Sequence, residues 1–279
     1  MTRDDQLRWE ARWAIPAGIA SLLAAALLVI SATLFLPKDR KGTERGPDLL
    51  LSIHEQSGSY LASAILTAAA ALLLLGVFLY LFRATEARGG GVPHWFVYLV
   101  YAAPVLFAIG AIAYALQAVD IADKFAGGSP IRGQAGSDRA KDLTDVTPAL
   151  LAAQTAGTVG VAFLFVMLPL RARKVGLLTP FMGVIGAIAG ALVVFQLAGV
   201  SAIIQGFWLG AVGLLFLGRW PGGRGPAWAS GEPEPWLTTA QRRGLARARD
   251  REPAANGGPA EPEPVPERPP SRKRRKKKR

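Results

Sequence analysis

The chain has 279 residues, 51% of them hydrophobic and 19% charged, with 31 glycines and a formal net charge of +12. Its apolar residues are gathered into long blocks, which excludes an ordinary soluble domain. Cysteine is absent, which removes disulfides, thiolate nucleophiles and cysteine-based metal sites, and the two histidines, His54 and His94, leave little material for imidazole chemistry.

In chain order, the first apolar block runs from Trp13 to Leu36 without an Asp, Glu, Lys or Arg. Arg3, Arg8 and Arg12 precede it, as in a secretory signal, but its 24 residues exceed the roughly 7 to 15 of a signal core, and no small-x-small cleavage site stands before Pro37. A retained membrane anchor is expected. Similar charge-free blocks follow at Tyr60 to Phe82, His94 to Ala118 and Pro148 to Leu170. A charge near the centre of a membrane helix costs about 2.5 to 3.5 kcal/mol on insertion scales, so the repeated absence of charge is a coherent pattern. From Val175 to Gly218 the chain runs 44 residues with no charged side chain. As one helix this would be about 66 Å long against a hydrocarbon core of about 30 Å, so two spans folded back on each other are expected. Thr147 before Pro148 and Thr179 before Pro180 place a capping hydroxyl ahead of a proline at the first helical position.

The expected fold is all-α: a polytopic transmembrane bundle over residues 1–218 with six spans at about 13–36, 60–82, 94–118, 148–170, 180–198 and 201–218. With the N-terminus inside, the cytoplasmic segments would hold 24 of the 32 Lys and Arg residues. The positive-inside rule therefore places both termini in the cytoplasm of a multi-pass cell-membrane protein. The outer loops carry acids, among them Asp48, Glu55, Asp120, Asp123, Asp142 and Asp145. Solvated carboxylates near helix ends are the ordinary reading of these, and no metal site, cofactor or catalytic set is expected. The strings ending at Arg83 and Arg171 align without gaps at an offset of 88 residues, a hint of internal repetition that apolar low complexity also produces.

Within the spans, Gly183, Gly186 and Gly190 lie on one side of the fifth helix, and Gly206 and Gly210 lie four apart in the sixth. Glycines at this spacing let two helix backbones approach, so the last two spans are expected to form a tight hairpin, and a homodimer seam would show the same signature. The candidate polar lining is Gln154 and Thr158, four apart on one helix face, with Gln196 and Gln205 around the outer turn. An interhelical hydrogen bond is the favoured reading of Gln154 and Thr158, a pathway for a neutral solute the sharper one.

After Gly218 the composition shifts to Pro, Gly and charge, and residues 219–279 are expected to be a disordered, basic, cytoplasmic tail. It ends in eight consecutive cations: Arg272, Lys273, Arg274, Arg275, Lys276, Lys277, Lys278 and Arg279. Anionic lipid headgroups are the expected partner, at about 1 kcal/mol per residue close to the surface, and nucleic acid is the weaker alternative.

The segment ARKVGLLTPFMGVIGAIAG, with Gly176, Leu177, Leu178, Pro180 and Gly183, resembles the junction between the fourth and fifth helices in a family of bacterial six-helix membrane proteins of unknown function. The string GRWPGGRGPAWASGEPEPW is similar to tails of uncharacterised actinobacterial membrane proteins. The resemblance implies a helix count of six and no activity. The expectation for function is a non-enzymatic membrane scaffold or accessory protein, paired with itself or another membrane protein, with a lipid-contacting tail. The alternative is a small permease or channel for a neutral or apolar solute.

Overall fold

The computed structural model describes residues 2–35, 45–129, 133–143, 148–195 and 200–236. Gln196, Thr147, Asp145 and the basic block Arg272 to Arg279 lie outside the described residues, and with them the expected lipid contact of the tail. The described chain is helical: α1 (Arg3–Leu34), α2 (Arg45–Glu55), α3 (Ser57–Ala87), α4 (Phe96–Ala126), α5 (Gly133–Leu143), α6 (Pro148–Lys174), α7 (Pro180–Val194), α8 (Val200–Phe216) and α9 (Pro226–Ser230).

Four helices, α1, α3, α4 and α6, are long and apolar enough to cross a membrane. The charge-free run after Lys174 forms two shorter apolar helices, α7 of 15 and α8 of 17 residues. At about 1.5 Å per residue they span about 22 and 25 Å. Thr179 caps α7 by accepting from the Met182 amide at 3.1 Å, with Pro180 at the first position. Helix α1 starts at Arg3, ten residues before the apolar block, because Thr2 and Asp5 form a reciprocal capping box and Asp4 and Asp5 complement the helix dipole.

In chain order, α1 packs on α3, α3 on α4, α4 on α6, α6 on α7 and α7 on α8, and α8 returns to α1, closing a ring of six. Neighbours run antiparallel. On α6 and α4, Gly157 lies beside Phe107 and Gly160 beside Ala103; on α7 and α6, Gly186 lies beside Pro169 and Gly190 beside Ala162. The main apolar core lies inside the ring, with Phe78, Phe165, Trp208, Leu164 and Leu168 among its fully buried side chains.

Two regions depart from expectation. The connections that follow α1 and α4 carry α2 and α5, where outer loops with solvated acids are anticipated. Leu50 and Ile53 lie one turn apart on α2 and are buried with Ile121, Ala122 and Phe125 of α4 and Ala140 of α5. This apolar stripe folds the connections down onto the end of the bundle. The second correction concerns the tail, expected to be disordered from residue 219. Residues 219–236 belong instead to the same compact unit as the helices, and that unit ends at Trp236. The physical reason is aromatic burial, since Ala227 and Trp228 of α9 are 0% and 6% exposed.

Candidate functional site

At the end of the bundle where α1 begins and α3 ends, Glu10 and Arg88 form an ion pair with side chains 3% and 0% exposed. Burying two charges is expensive unless every donor and acceptor is matched. Here the match is complete for the guanidinium. Its Nη1 donates to Glu10 Oε1 and, at 2.8 Å, to the Ala84 carbonyl. Its Nη2 donates to Glu10 Oε2 at 2.9 Å and to the Ala227 carbonyl at 2.8 Å, and its Nε donates to Ala227 at 3.0 Å. All five donors of the fork are used, and Gln6 adds a donation to Glu10 Oε1 at 2.9 Å.

An aromatic layer closes around this pair. Tyr80 lies between Trp9 and Trp228, with ring centroids 5.6 Å away on both sides, and meets Phe216 edge-on at 4.7 Å. The Tyr80 hydroxyl donates to the Glu10 carbonyl and accepts from Arg224 Nη2 at 2.9 Å. Arg88 and Arg224 sit over the Trp228 ring, 5.5 and 4.7 Å from its centroid. The Trp228 indole donates to the Leu177 carbonyl at 2.9 Å, and the Glu234 amide donates to Val175 at 3.2 Å. Arg3 reaches Glu232 at 2.8 Å, so the chain's first and last described elements meet at this end. The site is a clamp. It holds residues 224–236 against α1, α3 and the α6–α7 turn.

The opposite half of the ring contains a cavity of about 460 Å³. Side chains from α1, α3, α4, α6, α7 and α8 all line it, and they are mostly apolar. Its polar groups are Ser31, Thr67, Ser201 and Gln205. It stops at Phe165, whose ring packs edge-on against Phe78 at 5.1 Å and Trp208 at 5.2 Å. Trp208 is itself fixed by donating to the Met182 carbonyl at 2.8 Å.

The residues singled out in the sequence scatter over this architecture. Of the polar lining set, Gln205 faces the cavity, while Gln154 of α6 lies against Gly110 of α4 and Thr158 bonds within α6. Thr158 donates to the carbonyl of Gln154 at 2.8 Å, and Gln154 Oε1 is buried beside Gly110 without a partner. The expected bond from these side chains across to a neighbouring helix is therefore absent among the described residues. The glycines also pack differently from expectation. Gly183, Gly186 and Gly190 lie against Arg173, Pro169 and Ala162 of α6, and Gly206 lies against Val29 of α1. Gly210 meets nothing within 4 Å. The tight pairs are thus α6 with α7 and α1 with α8, and α7 touches α8 less extensively than either. Bulk decides this, since Trp208 stands between α7 and α8 and reaches Gly186 with its indole nitrogen.

At the end of the bundle covered by α2 and α5, His54 Nδ1 lies 2.7 Å from Asp123 Oδ1, and Lys124 pairs with Asp120 at 2.6 Å. Arg139 of α5 caps the end of α4 by donating to the carbonyls of Phe125 and Lys124 at 2.9 and 2.7 Å. Among the described residues no group of three or more His, Asp or Glu side chains is arranged to hold a metal ion.

Glu10, Arg88 and Trp228 escaped sequence reasoning. The available signal was weak: three acids before the first apolar block, two Arg between the second and the third, and three tryptophans in a Pro-rich stretch. Fold and site together define a helical protein with membrane-crossing elements and a clamped C-terminal segment. Comparison of the chain with protein-family models, with curated proteins and with solved structures gave no match.

Proposed function

We propose that this chain is a six-span protein of the bacterial plasma membrane with both termini in the cytoplasm, acting without catalysis as a scaffold or accessory protein. In this reading α7 and α8 complete the spans, with the turn between them and local bilayer thinning making up their length. Membership of the bacterial six-helix proteins resembled by residues 172–190 is part of the proposal. The ring closed by α8 on α1 and the meeting of Arg3 with Glu232 support an even span count.

One observation carries the functional reading. The segment leading into the basic tail is locked to the bundle by a fully matched buried ion pair, at the end opposite the cavity. A clamp of this kind gives the tail a fixed point of departure, as a scaffold presenting a lipid-binding or partner-binding arm requires. The aromatic layers at Phe165 and Tyr80 argue against the permease alternative, because they fill the ring below the cavity.

The test uses the full chain, whose lack of cysteine makes single labelling clean. A fluorophore on Ser271→Cys is compared in nanodiscs with and without phosphatidylglycerol. The reading expects a blue shift with the anionic lipid that is lost on deletion of residues 272–279 and in high salt. Identical spectra in both lipids would remove the tail from the membrane surface and sink the lipid-contact role. Accessibility of the same cysteine to impermeant reagent in intact cells would overturn the orientation.

A further inference from the structure

We infer that the cavity in the outer half of the bundle is a blind binding site for an uncharged, mainly apolar molecule carrying a single hydroxyl or carbonyl end, with Gln205 as its recognition group. Its volume of about 460 Å³ falls within the range of small-molecule sites, about 300 to 1,000 Å³. No ionisable side chain lines it among the described residues, so a charged ligand would lose its hydration without compensation. The apolar wall accepts an aliphatic or ring body.

The polar groups narrow the ligand further. Ser31 and Thr67 already donate to the carbonyls of Leu28 and Ser63, at 2.9 Å each, which leaves their oxygens as acceptors alone. Ser201 has a partner of its own. The half-buried Gln205 carboxamide makes no hydrogen bond among the described residues, so it presents both a donor and an acceptor to the cavity. One donor–acceptor group facing an apolar chamber fits one hydroxyl or carbonyl. The floor at Phe165, backed by Phe78 and Trp208, makes this a place of residence and not a path.

The experiment photolabels the full chain in nanodiscs with a diazirine-bearing ten-carbon alcohol and maps adducts by peptide mass spectrometry. Adducts are expected on Val161, Phe165 and neighbouring cavity residues, suppressed by unlabelled decanol and much less by decanoate. Ala32→Phe and Ala202→Phe fill the cavity from two different helices, and each is expected to abolish labelling in protein that elutes and melts as the wild type. Gln205→Leu is close in volume and should fold whatever the filling variants do. It is expected to weaken decanol competition about three- to tenfold while leaving competition by decane unchanged. Adducts confined to the lipid-facing Ile203 and Phe207, equal competition by decanoate, or equal loss of decanol and decane competition in Gln205→Leu would each overturn the assignment.

Discussion

The indole N–H of Trp228 donates to the main-chain carbonyl of Leu177 at 2.9 Å, joining the segment after the last apolar helix to the turn between α6 and α7. That turn is built for the contact. Gly176 has a φ of +82°, and the space where a side chain would stand is occupied by the carbonyl of Glu234. Leu177 and Leu178 are wholly buried beneath it. Trp228→Phe keeps most of the apolar body and removes the bond, which should cost about 1 kcal/mol. Trp228→Ala also empties a core position and should cost about 3 to 5 kcal/mol, seen as a lower melting temperature in detergent and as new proteolytic cleavage within residues 219–236. A Trp228→Ala protein with the same melting temperature and the same resistance would mean that the segment is held by something other than its aromatic anchor.

The buried pair of Glu10 and Arg88 makes a different prediction, because the two residues protect each other. Removing one partner strands the other charge at a site with almost no solvent, at a cost of about 3 to 5 kcal/mol. Glu10→Leu and Arg88→Met should each destabilise by that order, and the double variant carrying both should recover most of the loss. Arg88→Lys should not rescue, since an ammonium cannot supply the five-donor fork that reaches Glu10, Ala84 and Ala227 together. Melting curves of the wild type, the two single variants and the double variant form a double-mutant cycle, and additive losses would show that the pair does not act as a unit.

How much of this was readable beforehand follows from the range of each interaction. Membrane helices announce themselves locally, because each must be apolar along its own length, and the blocks at Tyr60 to Phe82 and Pro148 to Leu170 fall inside α3 and α6. The clamp is non-local. Glu10 and Arg88 are 78 residues apart, each just beyond a charge-free block, and nothing in either neighbourhood names the other. Residues 219–236 misled for a related reason. Their Pro and Gly content signals an inability to build a core, but Trp228 needs no core of its own when it docks into one supplied by Tyr80 and Phe216. The glycine spacing of α7 was legible as a packing surface, while its partner was not, because a small-residue face is complementary to any helix that comes close.

That ambiguity yields a graded set of substitutions. A methyl group at Gly157 would lie 2.5 Å from the backbone nitrogen of Phe107, and one at Gly186 would lie 2.7 Å from Pro169. Neither neighbour can swing away, so Gly157→Ala and Gly186→Ala should each destabilise by about 1 to 3 kcal/mol through forced separation of the helices. Gly210→Ala meets open space and should fall within about 0.5 kcal/mol of the wild type. If Gly210→Ala proves as damaging as Gly186→Ala, then α8 has a partner through Gly210, and a second copy of the chain becomes the first candidate to examine by crosslinking.

The cap formed by α2 and α5 separates charge from burial. His54 and Asp123 are in contact, yet their side chains are 47% and 57% exposed, and an ion pair in that setting contributes about 0.5 kcal/mol or less. Leu50 and Ile53 sit one turn apart on the same helix at 7% and 3% exposure, packed near Phe125 at 0%. If burial holds α2 onto α4, then His54→Ala should leave hydrogen exchange of the α2 amides nearly unchanged, while Ile53→Ala or Phe125→Ala should speed it by at least an order of magnitude. Removing an aliphatic side chain from a packed site costs about 2 to 5 kcal/mol, and each 1.4 kcal/mol is a factor of ten in the opening equilibrium that exchange reports. Faster exchange in His54→Ala than in Ile53→Ala would reverse the assignment and make the cap an electrostatic latch.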